Sequence, residues 1–505
     1  MFAKVNSCAN VGLDCELVQV ESDNYHSDQT CFVIVGLPDT AVQEAKERVR
    51  LAVRNSGFNF PRFKTTVNLA PADLRKEGAA YDLAMAVAVL KTANQLNSNV
   101  DDSIFVGELA LNGETRNTAG ILLTTIFAKE HGFKNLFVPQ VNAPEAALIS
   151  GLNIYPVKNL AQLANHLSDI DKIKPLGNTG IVVENNDEHF DTDFSQVQGQ
   201  EQAKRALEIA AAGGHNLLFN GPPGSGKTLL ARAAASILPL MTPEEILEVT
   251  KIYSVAGLLP KDKPIINCRP FRSPHHTASG VALVGGGKFP RPGEISLAHR
   301  GVLFLDEFSE FPRIVLENLR QPLEDGLISV SRAQGTLTFP ARFTLIASQN
   351  PCPCGYYSDP EKNCTCTSMQ ILKYKKRVSG PIIDRIDLHV EVPRLKFDKL
   401  QQQSNNETSA QVRSRVSAAR NIQHERFAGT NIRCNSEMAP KEIKNHCQID
   451  APSTELLRAA MTQMHLSGRS LHRILKVSRT IADLENSNDI LTNHVAEALQ
   501  YRPKE

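Results

Sequence analysis

Gly221-Pro222-Pro223-Gly224-Ser225-Gly226-Lys227-Thr228 decides the fold. It meets every fixed position of the phosphate-binding loop pattern G-x-x-x-x-G-K-[ST]. The residues on either side agree with it. Asn216-Leu217-Leu218-Phe219-Asn220 is an apolar run that predicts a short buried strand entering the loop. Leu229 to Leu238, rich in Ala and Leu, predicts a helix leaving it. The glycines let the backbone curl until successive N–H groups face one anion, and the helix N-terminus adds partial positive charge. In that frame Lys227 reaches the β- and γ-phosphates, and Thr228 places its hydroxyl on Mg²⁺. The implied ligand is a nucleoside triphosphate.

Bulk properties narrow the class. A length of 505 residues corresponds to roughly two to four domains. The hydrophobic fraction of 42% supports ordinary globular cores, and no apolar run reaches the roughly 18 residues of a membrane span. No sustained apolar segment follows Met1-Phe2-Ala3-Lys4, so a cytoplasmic protein is expected. The net charge of +1 advertises no nucleic acid globally, so any such binding rests on local basic loops. Ten cysteines in such a chain read as thiols or metal ligands rather than disulfides.

Outward from the loop, the next element is Gly301-Val302-Leu303-Phe304-Leu305-Asp306-Glu307. Four consecutive apolar residues predict a central strand with both carboxylates at its C-terminal end, where open parallel sheets bind ligands. Asp306 then holds the Mg²⁺ shell and Glu307 orients the attacking water. A third buried run, Phe343 to Ser348, ends in Gln349-Asn350. Before it, Leu327 to Phe339 predicts a hairpin with β-branched arms and Gln334-Gly335 at the turn. Cys352-Pro353-Cys354 and Cys364-Thr365-Cys366 place four thiols within fifteen residues, a set that suits tetrahedral Zn²⁺. The spacing is C-x-C rather than the commoner C-x-x-C, and unbound thiols on a loop are the alternative. His275-His276 has no Cys or acidic neighbour at metal spacing and is set aside as a metal site.

Composition divides the chain into four parts. Residues 1–168 alternate strand-like runs such as Cys31-Phe32-Val33-Ile34-Val35 with helical patterns such as Ala41 to Arg54, predicting an α/β or α+β domain. Residues 169–192 form a linker, polar and acidic at Glu184-Asn185-Asn186-Asp187-Glu188-His189. The nucleotide-binding core spans 193–400, with the cysteine loop at 352–366. After the Gln/Asn-rich stretch Gln401 to Glu407, residues 401–505 read as a helical domain. The whole is α/β and multidomain.

Several of these stretches resemble known families. Gly36-Leu37-Pro38-Asp39-Thr40-Ala41, Asn68-Leu69-Ala70-Pro71-Ala72-Asp73-Leu74-Arg75-Lys76-Glu77-Gly78 and Gly107-Glu108-Leu109 look like the Lon-protease-type domain of magnesium-chelatase-like ATPases. The Lon Ser–Lys dyad falls on Ala80 and Leu122, which supply neither nucleophile nor base, so that domain is expected to be proteolytically dead. Phe194-Ser195-Gln196-Val197-Gln198-Gly199-Gln200 resembles the segment beside the adenine in AAA+ ATPases. By the same resemblance Asn350 is sensor 1. Arg385, within Gly380-Pro381-Ile382-Ile383-Asp384-Arg385-Ile386-Asp387, is the arginine finger acting on the neighbouring subunit. A structural pair with Asp384 or Asp387 is its alternative. Arg269 to Thr277 and Gly285 to Glu294 look like the helix-2 insert of the magnesium-chelatase clade, and the hairpin stands where that clade has its pre-sensor-1 hairpin. In a ring both would point into the pore, bringing Lys288, Arg291 and Arg332 to DNA. Arg469 matches the sensor 2 arginine of AAA+ lids; Arg473, on the same helix face, could equally be an ordinary surface arginine.

Taken together, the chain resembles the ComM/YifB family of magnesium-chelatase-like AAA+ ATPases. That resemblance implies an ATP- and Mg²⁺-dependent homo-hexamer, assembled on ATP or DNA. It implies a helicase or translocase that drives branch migration during homologous recombination in natural transformation, with no membrane partner. A chelatase-type remodelling subunit and an ATP-switched scaffold are the rival readings.

Overall fold

Strand alternation builds the first part of the molecule. Lys64–Ala70 buries every second residue, and Asp14–Tyr25 buries Val18, Val20 and Ser22 along one face. The computed structural model describes residues 2–25, 31–36, 40–74, 76, 78–181, 192–260, 263–287, 291–332, 335–357, 359, 361–395, 406–464 and 466–503. The chain divides into two units, Met1–Val183 with Pro243–Asn267, and Glu184–Thr242 with Cys268–Glu505.

The first unit holds a seven-stranded mixed sheet. Its order is Phe32–Val35, Lys64–Ala70, Asp14–Tyr25, Phe2–Val11, Ser103–Phe105, Asn135–Pro139, Asn153–Val157. Asp14–Tyr25 runs antiparallel to both neighbours, and the other pairings are parallel. Helix Asp82–Thr92 is apolar on all sides and buries every residue but Lys91. Ala80 is half-buried, and Leu122 is fully buried within helix Ile121–Glu130. The Leu122 backbone N–H donates to buried Glu145 Oε1 at 2.9 Å.

Pro243–Asn267 joins this unit although it follows the phosphate-loop helix in the chain. Helix Pro243–Ala256 buries Ile246, Val249, Ile252 and Tyr253, and Ser254 Oγ donates to Glu145 Oε1 at 2.5 Å. Burial pushes the Glu145 carboxyl up from its ordinary value. Pro243–Asn267 thus lies within the 193–400 stretch expected as the core, yet packs with the first unit.

The second unit holds a five-stranded, wholly parallel sheet. Its order is Phe271–Arg272, Val302–Leu305, Thr344–Gln349, Leu217–Asn220, Leu388–Glu391. Val302–Leu305 is buried at all four positions and Thr344–Gln349 at five of six, as continuous apolar runs between helical layers require. The phosphate-loop strand thus lies next to the strand ending at Gln349, and that strand lies next to the one ending at Leu305. The C-terminal helices Ser409–Arg426, Ala451–Gln463, Gly468–Leu484 and Thr492–Gln500 share one core with the sheet, including Phe219, Leu230, Phe304, Val416, Ile474 and Val495. His215, just ahead of the phosphate-loop strand, reaches Thr480 Oγ1 of the third of these helices at 2.8 Å.

The expected hairpin pairs Leu327–Arg332 with Gly335–Pro340 in antiparallel register, Arg332 opposite Gly335. Gly335 therefore opens the returning strand, and Gln334, the other residue expected at the turn, lies outside the described residues. No helix of the described residues is long and apolar enough to cross a membrane.

Candidate active site

The phosphate loop opens directly from strand Leu217–Asn220 and closes into helix Lys227–Ile237. Gly224 and Gly226 take φ of 78° and 90°, the left-handed region that a side chain resists. Gly221 has no room for one: a Cβ there would stand 2.2 Å from the Val392 carbonyl oxygen. Lys227 Nζ folds back on the loop, donating to the Gly221 and Pro222 carbonyls at 2.7 and 2.8 Å and to Asn350 Oδ1 at 3.3 Å. Burial pulls the Lys227 ammonium down to about 8, with Asp306 opposing the shift. Ser225 Oγ is buried without a hydrogen-bond partner among the described residues. A penalised cation and an unpaired buried hydroxyl in a glycine cradle are the fittings of an anion site.

Three adjacent strands bring the other polar groups to the same edge. Thr228 Oγ1 donates to Asp306 Oδ2 at 2.9 Å. Asp306 Oδ1 accepts from Ser348 Oγ and, at 3.0 Å, from the Glu307 N–H. A hydroxyl beside a carboxylate is the hard oxygen pair that Mg²⁺ takes from a protein while phosphates and water complete its shell. Lys227, Thr228, Asp306 and Asn350 are thus assembled in one place. Glu307 follows in the left-handed conformation, φ 52°, and is exposed. Its Oε2 lies 3.1 Å from His276 Nδ1, and the His276 ring lies against that of His275, tilted by 33° with centroids 4.1 Å apart. The histidine pair set aside as a metal site therefore contacts the water-activating candidate. The pair lies in the loop after the edge strand Phe271–Arg272, which pairs with Val302–Leu305.

Arg385 and Arg469 meet elsewhere. The Arg385 carbonyl accepts from Asn216 Nδ2 at 3.1 Å, and Asn216 precedes the phosphate-loop strand. Arg385 is thereby held at the N-terminal edge of the sheet, a four-residue strand of about 13 Å away from the phosphate end. Its guanidinium pairs with Glu324, and Arg469 Nη2 reaches the other Glu324 oxygen at 3.4 Å. The Arg385 partner is thus Glu324, neither Asp384 nor Asp387. Arg473 is the strut to Asp387, at 3.0 Å, rather than a surface arginine. Burial disfavours the ionised Asp387 carboxyl, yet Arg473 and His215 beside it hold it well below the usual carboxylate range. Neither Glu324 nor His276 was singled out from sequence for these roles.

The four loop cysteines come together. Cys352, Cys354, Cys364 and Cys366 have Sγ atoms within 4.8 Å of one another. Cys352–Cys354, Cys354–Cys364 and Cys352–Cys364 separations are 3.4, 3.5 and 3.7 Å. All are free thiols, and thiolates at about 2.3 Å from a tetrahedral metal stand about 3.8 Å apart. Backbone N–H groups of Tyr357, Cys354 and Cys366 point at Cys352, Cys366 and Cys364 sulfurs at 3.3 to 3.4 Å, as they do around metal thiolates. The loop presses on the phosphate loop: a Cβ on Gly355 would stand 2.7 Å from Pro223 Cδ. Of the candidate DNA contacts, Arg291 is exposed, Arg332 ends the first hairpin strand, and Lys288 lies outside the described residues.

Comparison with known proteins agrees with this geometry. Family models for the magnesium chelatase subunit ChlI match residues 193–400, the subunit ChlI of Mg-chelatase matches 20–142, and the ChlI C-terminal model matches 406–502. Competence protein ComM of Haemophilus influenzae is 45% identical over 508 residues, covering 99% of this chain and 97% of its own. YifB of Escherichia coli is 43% identical, covering 93% and 91%. Rv2897c of Mycobacterium tuberculosis is 40% identical, covering 98% and 97%. The magnesium-chelatase 38 kDa subunit of Cereibacter sphaeroides is 30% identical over only 31% of this chain. With full-length identity of this order and a phosphate loop, an acidic strand end and Asn350 at one sheet edge, the chain belongs to the ComM/YifB family of magnesium-chelatase-like AAA+ ATPases.

Proposed function

We propose that this chain is an ATP hydrolase that works as a homo-hexameric ring on DNA, driving branch migration when imported DNA recombines during natural transformation. The observation that carries the enzymatic half is the joint placement of Thr228 with Asp306 and of Lys227 with Asn350. The loop N–H groups and Lys227 bind the phosphates, and Asn350 and Glu307 position and polarise the water for in-line attack. Bound Mg²⁺, held by Thr228 and Asp306, would neutralise charge developing between the β- and γ-phosphates.

Arg385 is what supports the ring. A finger anchored at the far edge of its own sheet is of use only to a neighbour's nucleotide, and a cyclic assembly supplies one to every site. DNA as the track rests on the relative named for competence and on the cations of the insert and hairpin. On this reading the protein is cytoplasmic, residues 1–168 form an inactive Lon-like domain, and the cysteine loop holds Zn²⁺.

Branch migration of a synthetic four-way junction by purified protein with ATP is the test. Junction resolution that needs ATP and stops in Lys227→Ala supports the motor. An ATPase indifferent to DNA but stimulated by chelatase partner subunits would replace it with the remodelling reading.

A further inference from the structure

One carboxylate stands where the two arginines of the far edge meet. Glu324 gives one oxygen to Arg385 and the other to Arg469. The arginines come from separate elements, one following the short helix Gly380–Ile383 and the other in the first turn of Gly468–Leu484. Glu324 belongs to a third, helix Arg320–Asp325, whose left-handed Gly326 leads directly into the hairpin strand Leu327–Arg332. On the returning side Arg342 packs against that glycine, where a Cβ would stand 2.6 Å from its Cγ. The root of the hairpin is therefore tied to both arginines through a single side chain.

The arrangement is incompletely satisfied. Arg385 is 8% exposed, yet its Nε is buried with no hydrogen-bond partner among the described residues. A guanidinium carries five donors in a plane; Glu324 meets them with one oxygen, its second serving Arg469, and the Pro381 carbonyl accepts from Arg385 Nη1 at 2.6 Å. Two cations share one anion. A terminal phosphate, with three oxygens and more charge, matches this pair better than a carboxylate does.

We propose that Glu324 is a placeholder for phosphate. It holds Arg385 and Arg469 ready in the separate protomer and releases them when the γ-phosphate of the neighbouring subunit arrives. Because the carboxylate sits at the hairpin root, release and recapture carry the neighbour's nucleotide state to the hairpin. This rests on the ring reading above and adds to it the residue that couples hydrolysis in one subunit to movement in the next. The exchange is between ion pairs alone, and no covalent bond changes.

Glu324→Gln keeps the shape and removes the competing charge. Ring assembly, followed by light scattering against ATP concentration without DNA, should then occur at about 3- to 10-fold lower ATP, since the competent arginine posture no longer competes with an internal anion. Loss of mere structural support would move that midpoint the other way. A second measurement needs no Glu324 variant. Hydrogen exchange of wild-type rings should change at 324–332 when a non-hydrolysable ATP analogue binds, and should not change in Arg385→Ala. Where wild type needs DNA to assemble, the same titration is run with DNA present; wild type that stays monomeric with ATP and DNA together overturns the ring reading and the placeholder together. Wild type that assembles, with Glu324→Gln unshifted or shifted upward, or with exchange at 324–332 unaltered, overturns the placeholder alone.

Discussion

Glu307 occupies a conformation that a glutamate resists, and a histidine holds its carboxylate. A left-handed backbone at the end of a buried strand turns the side chain out of the sheet, which is what a residue that must face a water requires. Glu307→Gln should bind ATP and lose turnover by roughly 10²-fold or more, because the phosphate contacts persist while water activation is gone. Steady-state hydrolysis near wild type would remove Glu307 from that role. Lys227 supplies a pH signature. Burial brings its ammonium to about 8, so in the window from about 8 to the ordinary 10.5 the unfolded chain holds a proton that the folded chain has released. Folded-state stability from this group therefore rises with pH across that window, and its cost is fully present below about 8. Polyphosphate favours the ammonium and reverses the shift. Binding of ATP should take up more protons at about pH 8.5 than at about pH 7.5, read by calorimetry in buffers of different ionisation enthalpy. Equal uptake at both would show that Lys227 is already charged in the free protein.

Among the elements, the cysteine loop is where the proposed metal and the proposed catalysis come closest in the chain. It begins two residues after Asn350, its Gly355 presses on Pro223, and its four thiols converge. Elemental analysis of protein purified without chelator should find about one zinc per chain, and stripping the metal should lower both thermal stability and ATP turnover. Metal-free protein with full stability and activity would end the assignment. The clustering of this loop was legible in sequence because its cysteines lie close together in the chain, as was the meeting of the phosphate loop with Asp306, whose motifs are local. The Glu324 pairing was not, because Arg385 is 61 residues away and Arg469 farther still, and no local pattern binds them. Helix Pro243–Ala256 shows the other limit. Its apolar positions announce a buried face, but periodicity does not say which sheet covers it, and the structure gives it to the first unit.

At the scale of the whole molecule, the functional question is whether sites are shared between chains and what passes through them. If Arg385 serves its neighbour, mixing Arg385→Ala with Lys227→Ala protomers should restore hydrolysis where an intact loop faces an intact finger. Inactivity at every ratio, in rings shown to be mixed, would place the finger elsewhere. The track calls for a different measurement. The chain as a whole is nearly neutral, +1 over 505 residues, so attraction to a polyanion must come from local cations rather than from a global field. Arg291 belongs to the insert and Arg332 ends the first hairpin strand, and none of the three candidates, Lys288 among them, is assigned to the nucleotide. Each phosphate contact releases condensed counterions, so the three together set part of the slope of affinity against salt. The triple alanine variant should bind DNA more weakly and with a slope shallower by up to about three contacts' worth, while its DNA-independent ATPase stays at the wild-type rate. Weaker binding with an unchanged slope would mean that the substitutions act through shape rather than charge. Unchanged affinity and slope together would move the DNA path off the insert and the hairpin.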